Sequence, residues 1–165
     1  MKQSVCILIV LALALVIAAP ARAQNDSSAP TPENMAKLAS LLPATGYVFK
    51  QHNSSVWSVD VQGKTSQKTF RLIVSTGGDA AVIFITVTPK ATLPATPDFL
   101  QKLLRFNHSL DQVKVGLDRD DDLSVRVDAR MRILDEAELT AIIHQVINSS
   151  DEIYKQISPY LLPQN

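Results

Sequence analysis

Residues 80–88 read Ala-Ala-Val-Ile-Phe-Ile-Thr-Val-Thr, a short run that is apolar on whichever face of an extended chain is considered. Val82, Ile83, Phe84, Ile85 and Val87 place apolar side chains on both sides, so this stretch belongs in the middle of a sheet and not at its edge. Just upstream, Phe70, Leu72 and Val74 alternate with Arg71 and Ser75, and Gly77-Gly78 marks a tight hairpin between the two runs. Earlier still, Trp57, Val59 and Val61 alternate with Ser58, Asp60 and Gln62, the period of a half-buried strand. Residues 47–51 are expected to be extended, 52–55 to form a turn and 63–68 a polar loop. The first half of the chain therefore predicts an antiparallel meander of four strands.

Helical spacing brackets and interrupts this block. Pro32 and Glu33 open a helix with Met35, Leu38 and Leu41 or Leu42 on one face, which Pro43 and Gly46 end. Pro97 and Asp98 open a second, in which Phe99, Leu100, Leu103, Leu104 and Phe106 form a wide apolar stripe. A second hairpin follows, with Val113, Val115 and Leu117 facing Leu123, Val125, Val127, Ala129 and Met131 across an Asp-rich turn. Lys114, Ser124, Arg126, Asp128, Arg130 and Arg132 fall on its other face. Asp135 and Glu138 then stand at capping-box spacing ahead of a long helix carrying Leu139, Ile142, Ile143, Val146, Ile147, Ile153 and Ile157, and Pro159 ends it. The fold class is α+β, an antiparallel sheet packed against helices in the order α-β-β-β-β-α-β-β-α.

The N-terminus has a separate logic. Lys2, an apolar stretch at residues 5–19 and the small-residue ending Ala21-Arg22-Ala23 have the three-part order of a secretory signal peptide, cleaved after Ala23. The stretch is shorter than the ~20 residues a spanning helix needs, so no membrane span is expected after cleavage. Residues 24–31, rich in Ser, Asn, Pro and Ala, read as a leader, and 32–165 as one domain. Cleavage removes Cys6, the only cysteine, which excludes a disulfide framework, a thiol nucleophile and a Cys-ligated zinc. It also removes Lys2 and Arg22 from a chain with 16 basic and 16 acidic residues. The resulting mild acidity gives no sign of nucleic-acid binding. The expected location is exported, periplasmic or secreted.

The segments Leu103-Leu104-Arg105-Phe106-Asn107-His108, Val113-Lys114-Val115-Gly116-Leu117-Asp118, the strand at 123–128 and the capped helix with Asp151-Glu152-Ile153-Tyr154 resemble the YbjN family, whose domains are folded like type III secretion chaperones. Val56-Trp57-Ser58-Val59 with Gly63 is similar to an exported bacterial branch of that group. The resemblance covers roughly residues 33–158. It implies a domain that binds polypeptides or modulates other proteins, often as a homodimer, and it brings no catalytic residues.

The residues themselves agree with a non-enzymatic reading. There is no Gly-x-Ser-x-Gly turn, no glycine-rich phosphate loop, and no pair of histidines at i,i+4 among His52, His108 and His144. No cofactor is called for. Asp118, Asp120 and Asp122 have the spacing of a calcium loop, but Leu123 occupies its glycine position and Ala129 its terminal Glu position, so a polar hairpin turn is expected. The candidate partner-binding residues are Trp57, Lys114, Arg126, Arg130 and Arg132. The four cations are expected to share an outer sheet face interrupted by Asp128, where an acidic segment could dock or an extended peptide add to an edge. A solvated face that discourages edge-to-edge pairing is the competing reading, as a core anchor is for Trp57. The sequence thus predicts a module for a protein or peptide partner, with a small-ligand or cation sensor in the cell envelope as the alternative.

Overall fold

Thr31 accepts the backbone N–H of Asn34 at 3.2 Å and Pro32 fills the first turn, so helix α1 (Pro32–Leu41) starts where the sequence places it. A 3-10 turn, Leu42–Thr45, follows, and Gly46 ends it at φ 78°, a conformation that costs other residues roughly 1–2 kcal/mol. This computed structural model describes residues 29–163; the expected signal peptide at 1–23 and most of the leader at 24–31 lie outside the described residues.

Strands β1 (Lys50–Asn53), β2 (Val56–Gln62), β3 (Thr69–Gly77) and β4 (Ala80–Thr88) form the meander; α2 (Pro97–Ser109), β5 (Lys114–Leu117), β6 (Leu123–Arg130) and α3 (Glu136–Ile157) complete the chain. All pairings are antiparallel, in the order β1-β2-β3-β4-β6-β5. β4 lies between β3 and β6, the central position its apolar run demands. Two turns differ from expectation. His52 and Asn53 belong to β1, and the turn narrows to Ser54-Ser55 because Asn53 Oδ1 accepts the Ser55 N–H at 2.9 Å. The β3–β4 turn is Gly78-Asp79, with Gly77 still paired to Ala80 and Gly78 taking φ 60°.

Register sorts the side chains into two faces. Trp57, Val74, Ile83 and Val127 form one transverse row, and Val59, Leu72, Ile85, Val125 and Val115 the next. On this face α3 packs against β4 and β6, α1 against β3 and α2 against β5. Leu72, Val74, Ile83, Ile85 and Val125 are fully buried there. On the opposite face Ile73, Val82 and Phe84 are only half-buried, because the helices cover one side. A strand apolar on both faces is therefore central without being enclosed.

One buried carboxylate ties α3 to the far end of the sheet. Asp151, 5% exposed, accepts the N–H of Thr65 at 2.7 Å and of Ser66 at 2.9 Å in the β2–β3 loop. Gly63 makes room for it: a Cβ there would lie 2.3 Å from Asp151 Oδ1. Burial alone would raise the Asp151 pKa, but the hydrogen bonds from Ser66 and Thr65 outweigh it and hold the carboxyl below its ordinary range. With the folded pKa depressed, the stabilisation is present above the ordinary carboxylate range (~4) and is lost as pH falls through the folded value. Asp151→Asn is expected to lower stability by about 2 kcal/mol at neutral pH and to flatten the acid limb of the stability profile, read by urea unfolding between neutral and acid pH. An unchanged acid limb would refute this role for the carboxylate.

Candidate functional site

The outer face, opposite the helices, is built by the same register. Ser58, Ile73, Phe84, Arg126 and Lys114 line up across β2, β3, β4, β6 and β5. Its centre is apolar and its flanks are charged. Arg71 and Asp60 pair on one flank at 2.8 Å. On the other, Asp128 holds Lys114 Nζ at 2.9 Å and Arg126 Nε at 2.6 Å. Burial would raise the Asp128 pKa, yet the bonds from Lys114 and Arg126 bring it down.

The expected cationic face is assembled in part. Lys114, Arg126 and Arg130 do share the outer side, and Arg130 has no carboxylate partner among the described residues. Arg132 does not join them on the sheet. β6 ends at Arg130, and the Ile133 N–H donates to the Arg130 carbonyl at 3.2 Å, closing a turn that holds Arg132, while Met131 keeps its expected place in the core at 1% exposure. Trp57 lies on the opposite, core face at 5% exposure, beside an apolar depression of ≈ 470 Å³ lined by Leu42, Pro43, Val48 and Phe49. The structure therefore does not bring Trp57 together with the cations.

The edge at β5 is closed by a side chain. Asn107 near the end of α2 donates from Nδ2 to Val115 O at 2.8 Å and accepts the Val115 N–H on Oδ1 at 2.7 Å. Its amide satisfies the outward-facing peptide groups of Val115 as a neighbouring strand would. The partner of Asn107, eight residues on, is visible only once α2 folds back on β5. That packing also leaves Leu100, Leu104 and Leu117 exposed at 48%, 69% and 49%, splitting the expected helix stripe. Asn107→Ala is expected to cost about 1–2 kcal/mol and to speed amide exchange at Val115 selectively, as read by hydrogen-exchange NMR. Unaltered exchange there would refute the pairing.

The remaining polar candidates resolve into local structure. Asp118 Oδ1 accepts the N–H of Asp120 at 2.9 Å and of Asp122 at 3.0 Å. Asp122 Oδ1 accepts the Lys90 N–H at 2.8 Å, and Asp121 pairs with Lys90 Nζ at 2.5 Å. The carboxylates of this turn hold the chain, and among the described residues no group of three or more His, Cys, Asp or Glu is placed to hold a metal ion. Millimolar calcium is accordingly expected to leave the melting temperature unchanged in a thermal-shift assay; a rise would restore the cation reading. His52 sits on β1 and contacts Ser58 Oγ at 2.7 Å, a pairing that strand register creates and no sequence spacing announces. No carboxylate is bonded to His52 among the described residues, so the pair lacks the orienting third group of a hydrolytic triad. His144 lies on α3 with its ring edge-on to Tyr47 at 6.0 Å, and His108 is exposed on the last turn of α2.

A six-stranded antiparallel sheet with helices on one face, and a second hairpin entered through a crossing helix, define the type III secretion chaperone fold. Solved structures share it. YbjN from E. coli matches with a TM-score of 0.59 at 16% identity, covering 82% of this chain and 100% of that one. A chain of the heterodimeric ExoU–SpcU complex from the type III secretion system of Pseudomonas aeruginosa matches at 0.52 and 18% identity, covering 76% and 98%. A chain of the Yersinia pestis complex between the secretion chaperone SycH and a YscM2 fragment matches at 0.51 and 12% identity, covering 71% and 96%. No curated protein matches the sequence. The YbjN family model, described as "Putative bacterial sensory transduction regulator", matches residues 36–159. The chain belongs to the YbjN family. Among the described residues no helix is long and apolar enough to cross a membrane.

Proposed function

We propose that this protein is an exported, non-enzymatic module that engages a protein or peptide partner in a chaperone-like or regulatory role. The observation that carries the reading is the one-sided cover of the sheet. Helices bury one face, while Ile73, Val82 and Phe84 stay half-buried on the other beside Lys114, Arg126 and Arg130. Apolar area ringed by charge is the composition of a contact surface, with the centre supplying affinity and the rim supplying selectivity. Three fold relatives were solved as complexes with protein partners, which supports carrying a binding character to this family member. Export rests on the N-terminal pattern at residues 1–23. The exposed Leu100, Leu104 and Leu117 offer a separate apolar surface for a second copy of the chain.

The test is affinity capture by the purified chain from a native exported-protein fraction, with the bound polypeptide identified and its stoichiometry measured. One polypeptide retained in fixed ratio by the wild type, and at least about tenfold less by Arg126→Glu/Arg130→Glu, is the expected result. Loss of capture with an unchanged far-UV spectrum places the contact on the outer face. A folded wild type that retains nothing overturns the reading.

A further inference from the structure

The sheet stops short along the outer edge of β6. β5 pairs only as far as Lys114 opposite Arg126, and the chain before it turns at Gln112 with φ 60°, so residues 127–130 of β6 are paired to β4 alone. Asn107 fixes which groups this leaves open. It takes the N–H and C=O of Val115 from outside, so these point away from β6, and Val115–Val125 is a non-hydrogen-bonded pair. The β6 groups turned toward β5 are then those of Ser124 and Arg126 and, continuing with the same alternation, those of Asp128 and Arg130. Ile133 N–H takes the Arg130 carbonyl at 3.2 Å. The Asp128 N–H and C=O and the Arg130 N–H face a slot that no strand fills among the described residues.

The slot has two unlike walls. On the core side is a depression of ≈ 320 Å³ to which Val127, Ala129, Ile133, Leu134 and Ile142 contribute apolar lining together with the polar Gln112 and Glu138, and Ile133 is 64% exposed although it is a large aliphatic residue. On the outer side three cations, Lys114, Arg126 and Arg130, stand around the carboxylate of Asp128, which Lys114 and Arg126 already occupy. We infer that this slot takes an extended peptide segment of alternating acidic and apolar residues, added as a seventh strand beside residues 127–130. The residue opposite Ala129 sends an apolar side chain into the depression, the acidic residue opposite Arg130 faces its guanidinium, and the one opposite Asp128 meets a carboxylate already paired with Lys114 and Arg126. A second copy pairing through the same edge, centred on its own Ala129, would bring only a methyl group to the depression and leave Ile133 uncovered. This rests on the partner-binding reading and specifies the chemistry of the partner.

The probe is a blocked pentapeptide, Glu-Val-Glu-Val-Glu, titrated into the ¹⁵N-labelled full chain, with Lys-Val-Lys-Val-Lys and Glu-Ser-Glu-Ser-Glu as controls. Shifts centred on the Asp128 and Arg130 amides, and binding weaker by at least about tenfold for both controls and for Arg130→Glu and Ile133→Asp, are expected. Both substitutions are at exposed positions, and a retained melting curve verifies the fold. Shifts elsewhere, equal binding of the Lys peptide, or self-association that moves the same amides without peptide overturns the inference. If the natural partner is captured as well by Ile133→Asp as by the wild type, the slot fails and the binding module stands. A wild type that captures nothing while the pentapeptide still binds the slot separates the two in the other direction.

Discussion

Everything in this fold depends on α3 lying across the inner face of β4 and β6. Leu139, Ile142, Ile143, Val146, Ile153 and Ile157 are buried at 3% exposure or less, and they meet a sheet face on which Ile83, Ile85 and Val125 are fully buried. Each such side chain contributes roughly 1.5–3 kcal/mol on burial, whereas an exposed ion pair contributes about 0–1 kcal/mol. The stabilising free energy is thus concentrated in one layer between helices and sheet. The pairs Arg71–Asp60 and Lys90–Asp121 on the surface add little to it, and the outer face is left free for contact.

Because only one face is covered, the edges of the sheet need separate treatment, and they receive it unequally. The Asn107 amide stands in for a strand at Val115. At the opposite end Asp151 fastens the β2–β3 loop to α3, with Lys68 bonded to Val87 O at 2.8 Å and held 3.9 Å over the Tyr154 ring. Burial lowers the Lys68 pKa, so that ammonium remains where a carbonyl and an aromatic face offset its lost hydration. Among the described residues no side chain bonds the open peptide groups of β6 beyond Arg126. β1, the other edge strand, is exposed along its whole length, whereas the open stretch of β6 lies beside the depression to which Ile133, Leu134 and Ile142 contribute.

The likeness to secretion-chaperone complexes extends to the fold and not to particular contacts, since the identities lie between 10% and 18%. What the fold contributes is geometry: a rigid sheet whose uncovered side and unfinished edge are both carried on β6. Arg126, Arg130 and the open peptide groups therefore belong to one strand, packed from behind by α3.

Periodicity in the sequence was enough to determine the α+β class, the order of elements, the central place of β4 and the capped start of α3 at Asp135, because alternation and three-four spacing are local records of which face is buried. The family likeness was also legible there, in the ordered run of segments from Leu103 to Tyr154. Tertiary structure alone decided that helices cover one face, that Leu100 and Leu104 remain outside, and that Arg132 leaves the cationic row because β6 ends at Arg130 and a turn follows. It alone decided the long-range partners, Asp151 with Thr65 and Ser66, His52 with Ser58 across a hairpin, and Asn107 with Val115. A hydrogen bond between two separate segments leaves no period in either one; it exists only when packing of the apolar faces has brought donor and acceptor within about 3 Å.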